Sequence, residues 1–403
     1  MKSLIHTLCA AFCLLGCLTA QEKALPEGHA YDPYTRHEAE AMEAAGYVRF
    51  GRMPWGDSHT TADIEKALAG EPLIWVETEH FRIGSTLGAY TVDRNDRVET
   101  RKVRAELERL REFLPRAPKK AKTLDPWLRL HLYAMRVEDL YDEIQEVLLV
   151  TDEDFPLVSD QSSSYRPGNA GPYLGMKNKF TLLLTENKST LARYASAYCN
   201  IRTPGPVLHH FPANEVQFFG LAAELDNMSS DTTMHCMVTY GLTINLLDGY
   251  LGFRHSVPPW VSVGMAHHKA RAIDEKRNYF NANRTFGNDD KDVWDWEVRV
   301  RGRVKNDADP EFAEMAAWPD HTSLEFTDNM IAWARVDFLL QERPEELAEF
   351  LRVVKSPFPS GTVVDASLLE KHQIQAFQAV LSLNPAEFDT IWRAWVPNNY
   401  RKK

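Results

Sequence analysis

The sequence lacks most of the features that assign a chain quickly to a structural class. Only five of its 403 residues are cysteines, and three of them (Cys9, Cys13 and Cys17) lie within the first twenty residues. The remaining two are too few for a disulfide scaffold. Beyond the N-terminus no apolar run approaches the ~20 residues of a membrane-spanning helix, so we expect no such span in the mature chain.

There is no excess of positive charge: 57 acidic residues outnumber 46 lysines and arginines, and the formal net charge is −11. This balance argues against nucleic acid or an anionic membrane surface as a partner. Common nucleotide and hydrolase motifs are missing as well: there is no Gly-x-Gly-x-x-Gly turn, no P-loop and no Gly-x-Ser-x-Gly elbow. Paired acids for glycoside cleavage stay open, since their spacing is three-dimensional.

The N-terminus has the pattern of a secretory signal. Lys2 precedes an apolar stretch over 8–18, and cleavage after Ala20 would remove residues 1–20 as a signal peptide. Alternatively, Leu14-Leu15-Gly16-Cys17 resembles a bacterial lipobox, in which Cys17 would be lipidated. Both alternatives predict an exported protein, periplasmic or extracellular and either free or lipid-anchored.

The rest of the chain predicts an α+β protein, and its composition (44% hydrophobic, 11% aromatic) is that of a globular one. Residues 21–72 form an N-terminal extension, 73–275 an α/β part with a small mixed sheet, and 276–403 a helical part of the same domain. Apolar periodicity predicts the following elements: strands at 73–76, 81–83, 179–184, 207–211 and 215–221; helices at 36–45, 61–69, 103–114, 126–149, 189–198, 232–247, 260–273, 329–341, 345–354, 365–381 and 386–395. Residues 151–176 and 275–325 are expected to be loops.

Five stretches occur in an order that carries a resemblance, which covers about residues 73–397. They are Glu77-Thr-Glu-His-Phe-Arg-Ile, Phe180-Thr-Leu-Leu-Leu with the helix after it, Thr232-Thr-Met-His-Cys-Met-Val-Thr, Val257-Pro-Pro-Trp-Val-Ser-Val-Gly-Met-Ala-His and Asn384-Pro-Ala-Glu-Phe-Asp. In this order the chain resembles secreted metallopeptidase-like proteins of the gluzincin type, especially a largely uncharacterised bacterial group. The resemblance implies a zincin-like domain whose active-site helix carries His-Glu-x-x-His.

The resemblance also implies which residues would do the chemistry. The first zinc-ligand position is His235, retained; the general-base position is Cys236, the second ligand position Thr239 and the third Val263. A thiol, a hydroxyl and an isopropyl group replace a carboxylate, an imidazole and another carboxylate. Because a protein zinc site takes three or four ligands, we expect no catalytic residue, no metal and no cofactor here.

The residues themselves offer two alternatives to an inactive protein. Histidine pairs at His209-His210 and His267-His268 would allow a relocated metal site with His235. Each pair offers one inward ligand at most, since adjacent residues on a strand or a helix point apart. The same divergence argues against His235-Cys236 as a base and its nucleophile.

A third alternative is a lipid-anchored structural protein of the cell envelope, with Cys17 as its anchor. The favoured interpretation is a non-catalytic binding or scaffold module, whose former cleft would be lined by Trp260, Tyr240 and His235. An extended peptide or a surface glycan is the expected ligand class.

The two cysteines outside the signal, Cys199 and Cys236, form either a disulfide or two free thiols.

Overall fold

A computed structural model describes residues 31–156, 168, 170–202, 205–225, 228, 230–252, 257–277, 294–320, 324–355 and 366–402. The signal segment and Cys17 lie outside these residues. Within them the chain forms eight strands: β1 Arg49–Phe50, β2 Ile74–Glu77, β3 Phe81–Ser85, β4 Tyr90–Thr91, β5 Thr123–Leu124, β6 Phe180–Thr185, β7 Val207–Phe211 and β8 Val216–Ala222.

Thirteen α-helices occur in the same described residues, seven of them after residue 258: α1 Ala39–Ala44, α2 Thr61–Ala67, α3 Arg97–Phe113, α4 Pro126–Leu148, α5 Lys188–Tyr194, α6 Asp231–Leu251, α7 Pro259–Ile273, α8 Trp296–Lys305, α9 Phe312–Ala316, α10 Phe326–Glu342, α11 Pro344–Val354, α12 Ala366–Leu381 and α13 Pro385–Asn399. A π-helical turn, Ala195–Cys199, extends α5. The predicted α+β class, with helices concentrated in the C-terminal half, is confirmed.

Six strands form one mixed sheet in the order β1-β2-β3-β6-β8-β7. The central pairs β3/β6 and β6/β8 are parallel, and the pairs towards both edges are antiparallel. β4 and β5 form a separate two-stranded ribbon. Every residue of β6 is buried, as expected for a central parallel strand that is covered on both faces.

The sheet separates two hydrophobic clusters because successive side chains along a strand point to opposite faces. Leu182 of β6 and Phe219 of β8 belong to the large cluster that also contains α3, α4, α6 and the C-terminal helices. Their neighbours Leu183 and Phe218 belong to a smaller cluster with α2 and α5. The N-terminal extension contributes to both, through Tyr47 on one face and Trp55 on the other.

Helix α6 lies against the first of these faces and is buried on almost all sides. Ser230 caps its first turn by accepting from the backbone amide of Thr233, and Gly252 ends it in the left-handed conformation (φ +79°). At Gly241 a β-carbon would lie 2.4 Å from the ring of Phe219. Glycine at this position therefore lets the helix approach β8 closely.

The C-terminal half packs around the contact between α7 and α10. A β-carbon at Gly264 would lie 2.5 Å from the carbonyl oxygen of Ala332, so only glycine allows this crossing. Side chains from both halves of the chain share the large cluster, which runs from Tyr47 to Tyr400. No helix within the described ranges has the length and apolar character needed to cross a membrane.

The structure corrects the sequence interpretation in two places. The region 275–325, predicted to be a loop, contains α8 and α9. Within 151–176, also predicted to be a loop, Asp152–Asp154 form a 3-10 turn, while 157–167 lies outside the described residues. The short apolar stretch at 47–50, too short to assign from sequence, supplies the edge strand β1.

Candidate functional site at the start of helix α6

His235 lies one turn into α6 and faces α3 and α4. The residue is buried, at 9% exposure, and its Nδ1 atom lies 3.6 Å from Oε1 of Glu106 on α3. Nδ1 has no hydrogen-bond partner within the described part of the chain. Instead of projecting into an open cleft, the retained histidine ends in the packed interior between three helices.

Arg136 of α4 is the centre of the charges around His235. Its Nη1 and Nη2 donate to the two carboxylate oxygens of Asp231 at 3.2 and 2.6 Å. Its Nε and Nη2 donate to the two oxygens of Glu106 at 3.0 and 2.7 Å. One guanidinium thus forms two bidentate pairs, the geometry that suits arginine and carboxylate best.

Lys102 of α3 completes this group, which we call the α6 charge cluster: Lys102, Glu106, Arg136, Asp231 and His235. The lysine Nζ lies 2.9 Å from Oε1 of Glu106 and 3.9 Å from Oδ2 of Asp231. Two cations therefore face two carboxylates, and the formal charges cancel around the imidazole.

The charge cluster also determines the protonation states of Asp231 and His235. Burial would raise the pKa of Asp231, but Arg136 and Lys102 hold it far below its usual range. Burial lowers the pKa of His235 well below 6.5, and the same two cations lower it further. His235 is therefore neutral at physiological pH, while Lys102 and Arg136 form ion pairs with Glu106 and Asp231.

Two further carboxylate contacts anchor the start of α6. Glu99 of α3 accepts from the backbone amide of Thr232 at 3.0 Å and from the hydroxyl of Tyr90 at 2.7 Å. Asp231, the first residue of the helix, adds a second carboxylate at the same end. Both negative groups complement the positive end of the helix dipole.

The other positions of the expected motif are buried without a catalytic arrangement. The Cys236 thiol belongs to the large hydrophobic cluster, and burial raises its pKa to about 12. Thr239, one turn after His235, is 5% exposed. A thiol that stays protonated cannot act as a general base or as a nucleophile near neutral pH.

The helix register does not bring Val263 to His235. Helices α6 and α7 are antiparallel, because the backbone of Asp274 contacts Cys236 while His267 lies against Tyr240, with ring centroids 4.9 Å apart. Val263, one turn before His267, is therefore level with the turn after Tyr240. At 1.5 Å per residue that is ~13 Å along α6 from His235. The assignment of residue 263 as a third-ligand position does not fit this packing.

The second pair of histidines faces other helices. Nε2 of His267 lies 3.1 Å from Oδ1 of Asn329 on α10, and its ring also contacts Trp296 on α8. Nδ1 of His268 lies 3.3 Å from Oδ1 of Asp337, also on α10. These contacts are with α8 and α10, whereas His235 faces α3 and α4.

The first pair of histidines is on the edge strand β7 and splits between the two faces of the sheet. His209 pairs in register with Phe218, on the α5 face, whereas His210 pairs with Gln217, on the α6 face. Only His210 shares a face with α6. His210 lies opposite the start of β8. His235 lies near the start of α6, six residues before Gly241, which is level with Phe219 of β8.

The groove expected from the sequence is not built from the predicted side chains. Trp260 is completely buried among Phe312, Phe350 and Phe377. Tyr240 is 3% exposed, and His235 faces the charge cluster. The prediction that these three side chains line a cleft is wrong, because Trp260 and Tyr240 pack in the hydrophobic core and His235 is buried within the charge cluster.

The two cysteines are free and buried. Cys199 belongs to the cluster on the α5 face, and Cys236 to the cluster on the α6 face. The sheet lies between them, so of the two alternatives the chain takes the free thiols.

Among the described residues, no three His, Cys, Asp or Glu side chains form a group able to hold a metal ion. The chain matches no protein-family model and no curated protein. The gluzincin resemblance therefore stays a prediction, and the interpretation of the site depends on its geometry.

Sequence reasoning missed four of the five members of the charge cluster as site residues. Lys102 and Glu106 lie in a charge-rich helix, yet they are four residues apart and point inward together. Asp231 and Arg136 belong to no motif in the sequence. A weak signal existed: α4 carries arginines at 129 and 136 in an otherwise apolar stretch.

Proposed function

We propose that this chain is an exported metallopeptidase-like protein without peptidase activity, which acts as a binding or scaffold module. The observation that carries the proposal is the α6 charge cluster. Where the resemblance expects a metal and its ligands, one neutral imidazole faces Lys102 and Arg136, and both carboxylates are already bound by these cations.

Electrostatics explain why such an arrangement disfavours a divalent ion. A metal bound to His235 would share its surroundings with two fixed cations, and each would repel it. The carboxylates of Glu106 and Asp231, which lie beside His235, would first have to give up their ion pairs. Leaving Arg136 buried without them would cost about 3–5 kcal/mol.

The ligand class expected from the sequence, an extended peptide or a surface glycan, stays part of this proposal. Because Trp260 and Tyr240 belong to the core, a binding surface would have to use other side chains. Export and the choice between a free and a lipid-anchored form depend on residues 1–20 and are likewise proposed. Mass spectrometry of the mature N-terminus separates the two forms: a free chain begins after Ala20, and an anchored one begins at diacylglyceryl-Cys17.

Metal analysis tests the proposal directly. The purified mature chain is mixed with an equimolar amount of zinc chloride and desalted, and the bound zinc is counted by plasma mass spectrometry. We expect far less than one zinc per chain and no cleavage of a mixed peptide library. Stoichiometric zinc that disappears in His235→Ala would overturn the proposal in favour of the relocated metal site.

A matched control distinguishes a specific site from loose surface binding. His268 is partly exposed and pairs with Asp337, outside the charge cluster. Zinc that falls in His268→Ala but not in His235→Ala is bound by surface histidines and leaves the proposal standing. A loss confined to His235→Ala identifies a site.

A further inference from the structure

A second buried histidine, His80, is held by two carboxylates just before strand β3. Its Nδ1 lies 2.6 Å from Oε2 of Glu138 on α4, and its Nε2 lies 3.1 Å from Oδ2 of Asp152 in the 3-10 turn. The backbone amide of His80 donates to the other oxygen of Glu138 at 3.0 Å. The side chain is 8% exposed.

Tyr141 supports the same arrangement from one turn further along α4. Its ring stacks on the imidazole of His80, with centroids 3.8 Å apart and planes 10° apart. Its hydroxyl donates to Oδ1 of Asp152 at 2.7 Å, and the backbone amide of Leu174 donates to the same oxygen at 3.1 Å. Asp152 thus connects His80 to the turn at residues 170–176.

Hydrogen-bond chemistry fixes the charge of this histidine. A neutral imidazole has one donor and one acceptor nitrogen, whereas an ionised carboxylate only accepts. Both ring nitrogens of His80 face carboxylate oxygens, so both must donate. The geometry therefore requires the doubly protonated, positively charged ring.

Most charges around His80 are negative, and the nearby cation Lys179 is paired with Glu77 at 3.3 Å. Glu79 precedes it in the chain, and α4 presents Glu138, Asp139 and Asp142. Asp139 is paired with Arg109, at 2.7 and 2.8 Å. Burial raises the pKa of Asp142, and Glu138, Asp139 and Glu79 raise it further, while the charge of His80 lowers it. The imidazolium is the cation that this acidic group needs.

We propose that His80 is a proton-dependent clasp, which joins the start of β3, helix α4 and the turn at 170–176 while its ring is charged and releases the turn when alkali removes one proton. The turn it holds reaches the end of α6: a β-carbon at Gly168 would lie 2.5 Å from the carbonyl oxygen of Tyr250, and Gly168 is paired with Gly175. Opening the clasp would loosen this contact.

The pH range follows from linkage. Burial alone would lower the pKa of His80, but the hydrogen bonds to Asp152 and Glu138 outweigh it and raise the pKa to about 9, from 6.5. A raised pKa stabilises the fold fully below pH 6.5, less and less between pH 6.5 and 9, and no longer above pH 9. Across that range the equilibrium constant for unfolding changes by up to about 300-fold, from the difference of the two pKa values.

Two measurements test the clasp. The first is the NMR titration of the His80 ring in the folded chain, where we expect imidazolium shifts at pH 7.5 and a midpoint near pH 9. In Glu138→Gln, which keeps an amide oxygen but loses the charge, the midpoint should fall towards neutrality. A wild-type midpoint at or below 6.5 would overturn the proposal.

The second measurement is stability against pH for wild type and His80→Gln. The difference between them should shrink as pH rises from 6.5 to 9, and exchange of the Leu174 amide should lose its extra protection over the same range. His59 provides the control, since it is buried beside the Tyr194 hydroxyl (3.3 Å) and burial lowers its pKa to about 4. The effect of His59→Gln should be flat over this range. An equally flat His80→Gln difference contradicts the clasp, and the titration still decides if that variant does not fold.

Discussion

His80 and His235 are buried to nearly the same extent, at 8% and 9% exposure, yet the structure makes one ring positively charged and the other neutral. Two carboxylates accept hydrogen bonds from the two ring nitrogens of His80, so the ring is a cation. Around His235 the carboxylates are already bound by Lys102 and Arg136, so its ring stays neutral. Burial alone therefore does not decide whether a histidine is protonated. Its protonation depends on which neighbouring groups are free to form hydrogen bonds with the ring.

The comparison also separates two structural roles. The His80 group connects a strand, a helix and a turn through its charge, and it loses strength when the proton leaves. The α6 charge cluster fixes the start of a central helix, and its charges persist across the physiological range. Breaking each one should consequently give a different size and pH dependence of effect.

The largest effect is expected from Asp231→Asn. The substitution removes one charge from the buried pair with Arg136 and leaves the guanidinium partly uncompensated, which should lower the free energy of unfolding by about 3–5 kcal/mol. Chemical denaturation at pH 7 measures this loss. The exposed pair Arg104–Glu108 is the control: Glu108→Gln should cost less than about 1 kcal/mol, because both side chains are more than half exposed. Equal losses of the free energy of unfolding in the two variants would mean that the charge cluster stabilises the fold no more than an exposed ion pair does.

A smaller, pH-dependent effect is expected at His235. Because its pKa in the folded chain lies well below 6.5, the unfolded chain binds a proton that the folded chain does not, so wild-type stability falls as pH drops below 6.5. His235→Gln should remove this slope while changing stability at pH 7.5 by about 1 kcal/mol or less. Thermal unfolding from pH 4.5 to 8 measures both. A steeper acid loss in the variant would show that His235 is charged in the folded state.

The smallest effect concerns the thiols, which burial keeps protonated. Burial raises the pKa of both Cys199 and Cys236 to about 12, and the sheet separates them. A reductant should therefore leave the melting temperature unchanged, and a thiol reagent should react with neither cysteine until the chain unfolds. A melting temperature that falls on reduction would reveal a disulfide that this packing forbids.

Sequence periodicity predicted most of the elements because their apolar spacing is local information. The long helix α6 and the strands β6 to β8 were placed within a few residues of their bounds. Helices α8 and α9 were missed, since α8 is rich in charge and α9 has only five residues, so neither shows a clear apolar stripe.

Which polar side chains meet in the interior was much harder to predict. Glu106 binds Arg136, thirty residues away, and Arg136 binds Asp231, ninety-five residues away. Neither pairing leaves a trace in local spacing. For the same reason, Trp260 and Tyr240 were expected in a cleft although the tertiary packing places both in the core. The motif comparison identified His235, but only the fold shows what surrounds it.

Glycine at position 264 has a mechanical consequence. Because the two helix backbones touch without an intervening side chain, even an alanine at this position would push α7 away from α10. Helix α7 ends next to Asp274, whose backbone contacts the thiol of Cys236. A substitution at Gly264 is therefore expected to disturb the packing beside His235 as well as the helix crossing itself.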